Sequence, residues 1–256
     1  MCADYVVDIN VDIGEGYGRY RIGNDEEIIK HATSANVAAG FHAGDPSIMW
    51  TTVKYAKKYG VAVGVHPSFQ DIRGFGRRRM KVDPDDLKSD VLYQIGALAA
   101  FVKAEGLKLQ HVKPHGALYV MAEEDPAYAE AIVEATTAFD PELIIITERD
   151  TELWKRAQKA GLKVVAEAFP DLNYDSQGKI IIERVKQAWD PMLVARRAIG
   201  IVKEGVLETV DGKKLSLSVR TLCVHSDAPN SADVIRTVRE ELIKNGIEVK
   251  PLSQIV

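Results

Sequence analysis

The sequence predicts an α/β fold, a closed (β/α) barrel in one domain over residues 1–256, and three observations predict it. Short β-branched runs alternate with longer stretches of helical period, the pattern of parallel strands buried on both faces. Four junctions run from helix through glycine to strand, at Gly60, Gly106, Gly161 and Gly246. Such glycines suit a left-handed C-cap leading into a right-handed crossover. About seven or eight units of this kind in one chain favour a closed barrel over an open doubly wound sheet.

The elements follow in order. Residues 5–9 read as the first strand and 36–39 as a weaker second. Strands are then expected at 61–65, 109–112, 142–147, 162–166, 220–224 and 247–249. Asn24 with Glu27 has the spacing of a capping box. Asp45, Asp83, Asp125 and Asp190 each stand before a proline, placing a capping carboxylate ahead of a residue preset for the first helical turn. Val91, Leu92, Ile95, Leu98, Ala99 and Val102 mark the apolar face of one helix. Val234, Ile235, Val238, Leu242 and Ile243 mark that of the last long one. Residues 169–190 are less regular and read as a long βα loop with room for a small hairpin, the kind of loop that carries function.

Composition excludes several classes. With 46% hydrophobic and 27% charged residues the chain is neither disordered nor fibrous. A net charge of −4 gives no general attraction to nucleic acid or to an anionic membrane. The basic run Arg77, Arg78, Arg79 with Lys81 reads as a solvated loop, against a phosphate or partner site. Cys2 and Cys223 cannot build a disulfide framework or a paired-cysteine metal site. Cys223, between Leu222 and Val224, reads as a core thiol. Acidic residues Asp4, Asp8, Asp12 and Glu15 near the start do not resemble a signal peptide, and no apolar stretch of about 18 residues occurs to span a membrane. The cytoplasm is the expected compartment.

Position carries the functional signal. Asp12, Gly14 and Glu15 follow the first strand, and His42 and Asp45 the second. His66 ends the third, Lys113 and His115 follow the fourth, and His225 and Asp227 follow a late one. In a β/α barrel these strand ends meet at the C-terminal face, where active sites are built. Bland roles compete for some of them: Asp45 is also a helix cap, His42 and His225 suit loop hydrogen bonds, His111 suits a strand interior and Asp8 a buried paired carboxylate.

Asp12, His66 and His115 are an adequate donor set for a catalytic divalent metal. Without a metal the same groups serve as general acid and base, with Lys113 stabilising an oxyanion. The sequence has no Gly-x-Ser-x-Gly elbow, no His-Glu-x-x-His helix and no P-loop. A nucleotide would need another kind of site or a partner protein.

These motifs, in this order, resemble the LamB/YcsF family, to which the A subunit of 5-oxoprolinase belongs. The resemblance rests on Asn10 to Glu15, Ser34-Ala35-Asn36, Gly40 to Asp45, Gly64 to Pro67, Phe75-Gly76-Arg77, Tyr93 to Leu98 and His111 to Tyr119. It implies a seven-stranded, irregular barrel akin to the glycoside hydrolase/deacetylase superfamily. It implies opening of 5-oxoproline to glutamate coupled to ATP, which is bound through a complex with two partner subunits; homo-oligomerisation is left open. On the matching motifs, Asp12, Glu15, Lys113 and His115 are the catalytic candidates. Asn10, His42, Asp45, His66, Arg77, Tyr119, Asp171, Arg184, His225 and Asp227 are the candidate binding residues. The second half departs from the family's pattern. Its first loop Arg is Leu172 here, and Val185 to Asp190 replace a Gly-Ala segment. The lost guanidinium would bind carboxylate or phosphate, so another lactam, cyclic imide or amide is an alternative substrate. A stand-alone metal-dependent deacetylase or amidase is the alternative activity, and a non-catalytic carrier or regulatory role the third possibility.

Overall fold

The computed structural model describes residues 5–181 and 186–256. Its strands are β1 (Tyr5–Ile13), β2 (Ser34–Ala38), β3 (Ala62–His66), β4 (Leu109–Val112), β5 (Ile144–Thr147), β6 (Val164–Ala168), β7 (Asn173–Tyr174), β8 (Ile180–Ile181), β9 (Val206–Glu208), β10 (Lys214–Ser216), β11 (Thr221–His225) and β12 (Ile247–Val249). The helices are α1 (Asp25–Ile29), α2 (Pro46–Tyr59), α3 (Pro84–Ala104), α4 (Gly116–Glu124), α5 (Pro126–Phe139), α6 (Glu152–Lys159), α7 (Pro191–Glu204) and α8 (Ser231–Lys244), with a final 3₁₀ turn at Leu252–Gln254.

Strands β1 to β6 pair in sequence order, β6 pairs with β11, and β11 pairs with β1, so seven parallel strands close a barrel. Closure is fixed by register: Asp8 lies opposite Thr221, Asn10 opposite Cys223 and Asp12 opposite His225. The first residues of β1 lie beyond that pairing and take β12 as a partner instead. The pattern predicts this architecture, and the barrel is irregular in the sense expected: seven strands, an eighth attached at one end, and a register shift between β3 and β4.

Period-two alternation makes the barrel interior polar. Along β1, Val7, Ile9, Val11 and Ile13 join the main apolar core under the helices. Asp8, Asn10 and Asp12 alternate onto the opposite face and bond to side chains of other strands across the barrel. Thr33, Ser34 and Thr221 all donate to Asp8, whose carboxyl burial pushes up to about 6. His111 Nε2 donates to Asn36 Oδ1 at 2.7 Å, and burial with nearby Lys113 lowers its imidazole to about 3. His111 packs directly over Gly64, where a Cβ would lie 2.1 Å from its ring; only glycine leaves that room. Ile144, Ile146, Val165 and Leu252 form a small apolar cluster of their own.

Helix starts behave as read. Asp45, Asp83, Asp125 and Asp190 each accept a backbone N–H in the first turn of α2, α3, α5 and α7. Asn24 is the exception: its side chain makes no capping bond to α1. On α3, Leu92 is exposed and Gln94 is buried in its place, donating to the Ser68 carbonyl and accepting from the Ser68 N–H. Ile243 of α8 also faces outward. The loop after β6 carries the expected hairpin, β7–β8. A second hairpin, β9–β10, follows α7 and has no counterpart in the sequence pattern. No helix among the described residues is long and apolar enough to cross a membrane.

Candidate active site

The C-terminal ends of β1, β2, β3, β4, β6 and β11 bring two linked clusters together. The deeper one centres on Lys113, which is 2% exposed. Its Nζ lies 3.2 Å from Asp12 Oδ1, 3.0 Å from Glu167 Oε2 and 2.9 Å from Cys223 Sγ, and donates to Asn10 Oδ1 at 3.2 Å. Burial opposes the charged ammonium, but Asp12 and Glu167 outweigh it and hold Lys113 well above the usual lysine range. Burial likewise opposes the Asp12 carboxylate, and His66 and Lys113 outweigh it, so Asp12 stays well below the usual range. The Cys223 thiol is pushed well up by burial and by Asp12.

The second cluster holds three imidazoles and a carboxylate. One donor atom from each of Glu15, His42, His66 and His115 lies within 4.8 Å of all the others. His42 stacks on His115 with ring centroids 3.8 Å apart, and its Nε2 is 3.3 Å from Glu15 Oε1. Backbone carbonyls fix the other two rings. His66 Nδ1 donates to the Lys113 carbonyl at 2.7 Å, and His115 Nε2 to the Phe75 carbonyl at 2.9 Å. A carbonyl only accepts, so those nitrogens carry the hydrogens. His66 Nε2 and His115 Nδ1 then face each other at 2.9 Å, two lone pairs when both rings are neutral. That pairing suits a shared proton or a bound cation. Burial and the neighbouring His42 and His66 keep His115 well below the usual histidine range.

The Phe75 carbonyl is held by a strained turn. Phe75 has φ of 54° and Gly76 of 63°. A Cβ on Gly76 would fall 2.3 Å from Ser68 Oγ, 2.7 Å from His115 Cδ2 and 2.9 Å from His42 Cβ. The turn fits under the imidazoles only as glycine.

The expected metal triad Asp12, His66 and His115 is regrouped. His66 and His115 join Glu15 and His42, while Asp12 groups with Cys223 and His225. Asp12 Oδ2 still lies 3.4 Å from His66 Nε2, so the clusters touch. The nitrogen-rich set fits a divalent cation by its chemistry, each of two rings having its outer N–H on a carbonyl, as metal-binding histidines do.

Other candidates separate. Arg77, Tyr119 and His225 line the cavity with Asp12, His66, Lys113 and His115. Asp171 accepts from the His225 backbone N–H and ring Nδ1, so it orients His225. Asn10 is buried beneath Asp12 and also donates to Thr221. Asp45 spends its carboxylate on Ser47 N, Ile48 N and Gly18 N, in a separate groove; of its two expected roles the structure displays the cap. Asp227 pairs with Arg77 at 2.6 Å. Arg78 and Arg79 turn away to Asp71 and Glu124, so the basic run has three destinations. Arg184 lies outside the described residues.

Sequence reasoning missed Glu167, Cys223, Lys186 and Phe169. Cys223 is fully buried, as a core thiol is, yet it touches the site ammonium. A signal existed for Glu167: it is the one charged residue in β6. The expected strand stopped at residue 166, one position short.

Fold and site together define a class, a seven-stranded β/α barrel with a His/Glu/Asp/Lys site at its C-terminal mouth. Within that class the chain belongs to the LamB/YcsF family, whose model matches residues 7–256. It is 49% identical to a Thermus thermophilus protein named as the A subunit of 5-oxoprolinase, over 95% of this chain and 98% of that one. A crystal structure described as a lactam utilization protein, from another strain of Thermus thermophilus, superposes with a TM-score of 0.89. The two chains are 48% identical, and the match covers 96% of this chain and 99% of that one. A structure of a T48 deacetylase aligns with a TM-score of 0.50 at 14% identity over 98% of this chain and 90% of that one, a likeness of fold alone.

Proposed function

We propose that this chain, as one barrel domain, works within an enzyme complex that opens 5-oxoproline to glutamate at the expense of ATP, together with two partner subunits. The observation that carries the reading is the mouth itself. Three imidazoles and Glu15 adjoin a buried ammonium held by Asp12, in a chain similar along its length to proteins named for this activity. Those relatives are named as one subunit of an enzyme, which supports the existence of partners; that ATP is bound through the complex is part of the proposal.

The chemistry needs ATP to phosphorylate the lactam carbonyl oxygen with loss of ADP, water to add to the carbonyl carbon, the C–N bond to break with the ring nitrogen taking a proton, and a second water to release phosphate from the acyl phosphate left behind. His115 and Glu15 are placed to take the proton from water and return it to nitrogen. Lys113 supplies positive charge where the carbonyl oxygen gains negative charge. Asp171 takes the His225 Nδ1 hydrogen and fixes that ring at the cavity edge, with Nε2 3.7 Å from Asp12 Oδ2. A divalent ion held by Glu15, His42, His66 and His115 would occupy their lone pairs and replace their proton transfer with Lewis-acid polarisation of the carbonyl.

The test is release of ADP and glutamate from 5-oxoproline by the chain with its partner subunits, and its loss in His115→Ala with assembly preserved. Retained activity in that variant would mean a non-catalytic role. Turnover of other lactams but not of 5-oxoproline would move the reading to a different cyclic amide. The grouping of Glu15 with three histidines favours a second reading, a stand-alone metal-dependent deacetylase or amidase. Activity without partners, rescued by a divalent ion after chelation, would decide for it.

A further inference from the structure

We propose that Arg77 and Lys186 form an anion seat at the edge of the active-site cavity that takes the substrate's carboxylate, which makes Lys186 a specificity-determining residue. The proposal rests on the lactam-opening reading above and adds where the substrate's charged end lies.

Both side chains line the same cavity as His66, Lys113 and His225. They come from different parts of the chain, Arg77 from the turn after β3 and Lys186 from the stretch leading into α7. Asp227 stands between them, its Oδ2 2.6 Å from Arg77 Nη2 and its Oδ1 2.9 Å from Lys186 Nζ. Against burial, the two cations hold the Asp227 carboxyl down to about 2, so it remains an anion. Two cations meet one carboxylate directly; the other acid that Lys186 faces, Asp171, spends both oxygens on His225, which leaves a surplus of donors at the seat.

That surplus is nearly dry. The Lys186 side chain is 5% exposed and that of Arg77 18%. Among the described residues, Lys186 Nζ makes no aligned hydrogen bond despite its approach to Asp227. An ammonium has three hydrogens to place, and a buried one is costly without oxygen partners. A carboxylate or phosphoryl oxygen entering the cavity meets a guanidinium fork and an ammonium already desolvated, with Asp227 keeping both in position.

The rest of the cavity argues for the substrate's own carboxylate. Phe169, Leu172 and Ile180 give an apolar wall beside the seat, and the imidazole cluster shares the same small space. A compact ring with an apolar face, a carboxylate at one end and an amide at the other matches all three features.

The test compares the unaltered chain with Lys186→Met, which keeps the volume, and Lys186→Arg, which keeps the charge; thermal melts establish that each is folded. Binding of 5-oxoproline and of 2-pyrrolidinone, the same lactam without a carboxylate, is measured by ligand-observed NMR on the full chain. KM values for both lactams and for ATP are measured with the partner subunits. Lys186→Met is expected to weaken 5-oxoproline binding and raise its KM by about ten-fold or more, with 2-pyrrolidinone changing less than about two-fold and kcat falling less than KM rises. Lys186→Arg is expected to restore most of the 5-oxoproline affinity. Equal losses for both lactams, or no loss for either, overturn the proposal. A rise in KM for ATP alone overturns it by giving the seat to a phosphoryl group. If the unaltered complex turns over no 5-oxoproline, the functional reading falls, while the NMR preference for the carboxylated lactam still decides the seat.

Discussion

Replacing Lys113 with methionine is expected to destabilise the chain by about 3–5 kcal/mol, because it strips counter-charge from two buried carboxylates. The magnitude follows from the geometry. Lys113 Nζ is 3.2 Å from Asp12 and 3.0 Å from Glu167. At these separations and an effective dielectric of about 20, each contact represents about 5 kcal/mol of attraction before desolvation is counted. Burying the three charges offsets most of that, so the intact cluster adds little net stability. The truncation is different, since methionine fills the space but leaves Glu167 without its cation and Asp12 with only its Asn36, His66 and His225 contacts. Adding Glu167→Gln removes one of the stranded charges and should recover about 1–2 kcal/mol of the loss. The pH dependence changes sign as well. In the unaltered chain Asp12 is held well below the usual carboxylate range, so its contribution is present above the unfolded value and is lost as pH falls through the folded one. In Lys113→Met the stranded carboxylates favour protonation, so stability rises as pH falls from neutrality. Urea unfolding of the three forms, followed by circular dichroism across pH, reads all of this. A loss below about 1 kcal/mol for Lys113→Met, or no recovery on adding Glu167→Gln, would refute the reasoning.

Gly76→Ala should cost about 2–4 kcal/mol through left-handed strain plus overpacking and should abolish lactam opening, because its methyl group displaces His42 and His115; melting and turnover of the same preparation check both. Glu148 is raised by burial and by Glu167 to about 8, so its contribution is complete below the unfolded value and is lost as pH rises through about 8. Glu148→Gln should therefore melt higher than the unaltered chain at alkaline pH and match it near pH 4. Titration with zinc is expected to raise the melting temperature and release protons, and His66→Ala to remove both effects; no shift in the unaltered chain would leave the cluster to proton transfer alone.

Local physics made much of this protein legible from its sequence. β-branched runs bounded by glycine, and aspartates ahead of prolines, report on backbone conformation within a few residues, and those elements stand where they were expected. The convergence of Asp12, His66, Lys113, His115 and His225 followed from strand ends alone, since a closed barrel gathers them at one mouth. Polar residues alternating along β1 extend the strand to Ile13, and an apolar criterion misplaces that end because this barrel's interior is polar.

Tertiary structure alone decided the partnerships. Which nitrogen of His115 carries a hydrogen depends on a carbonyl at Phe75, 40 residues away. Lys113 meets Cys223 across 110 positions, which turns a core thiol into part of the site. Asp45 bonds to Gly18 and its own helix, and that withdraws it from the cluster. Residue types and spacing determine which element each group ends. Barrel closure, β1 against β11, sets the distances of a few ångströms on which hydrogen bonding, proton position and ion binding depend.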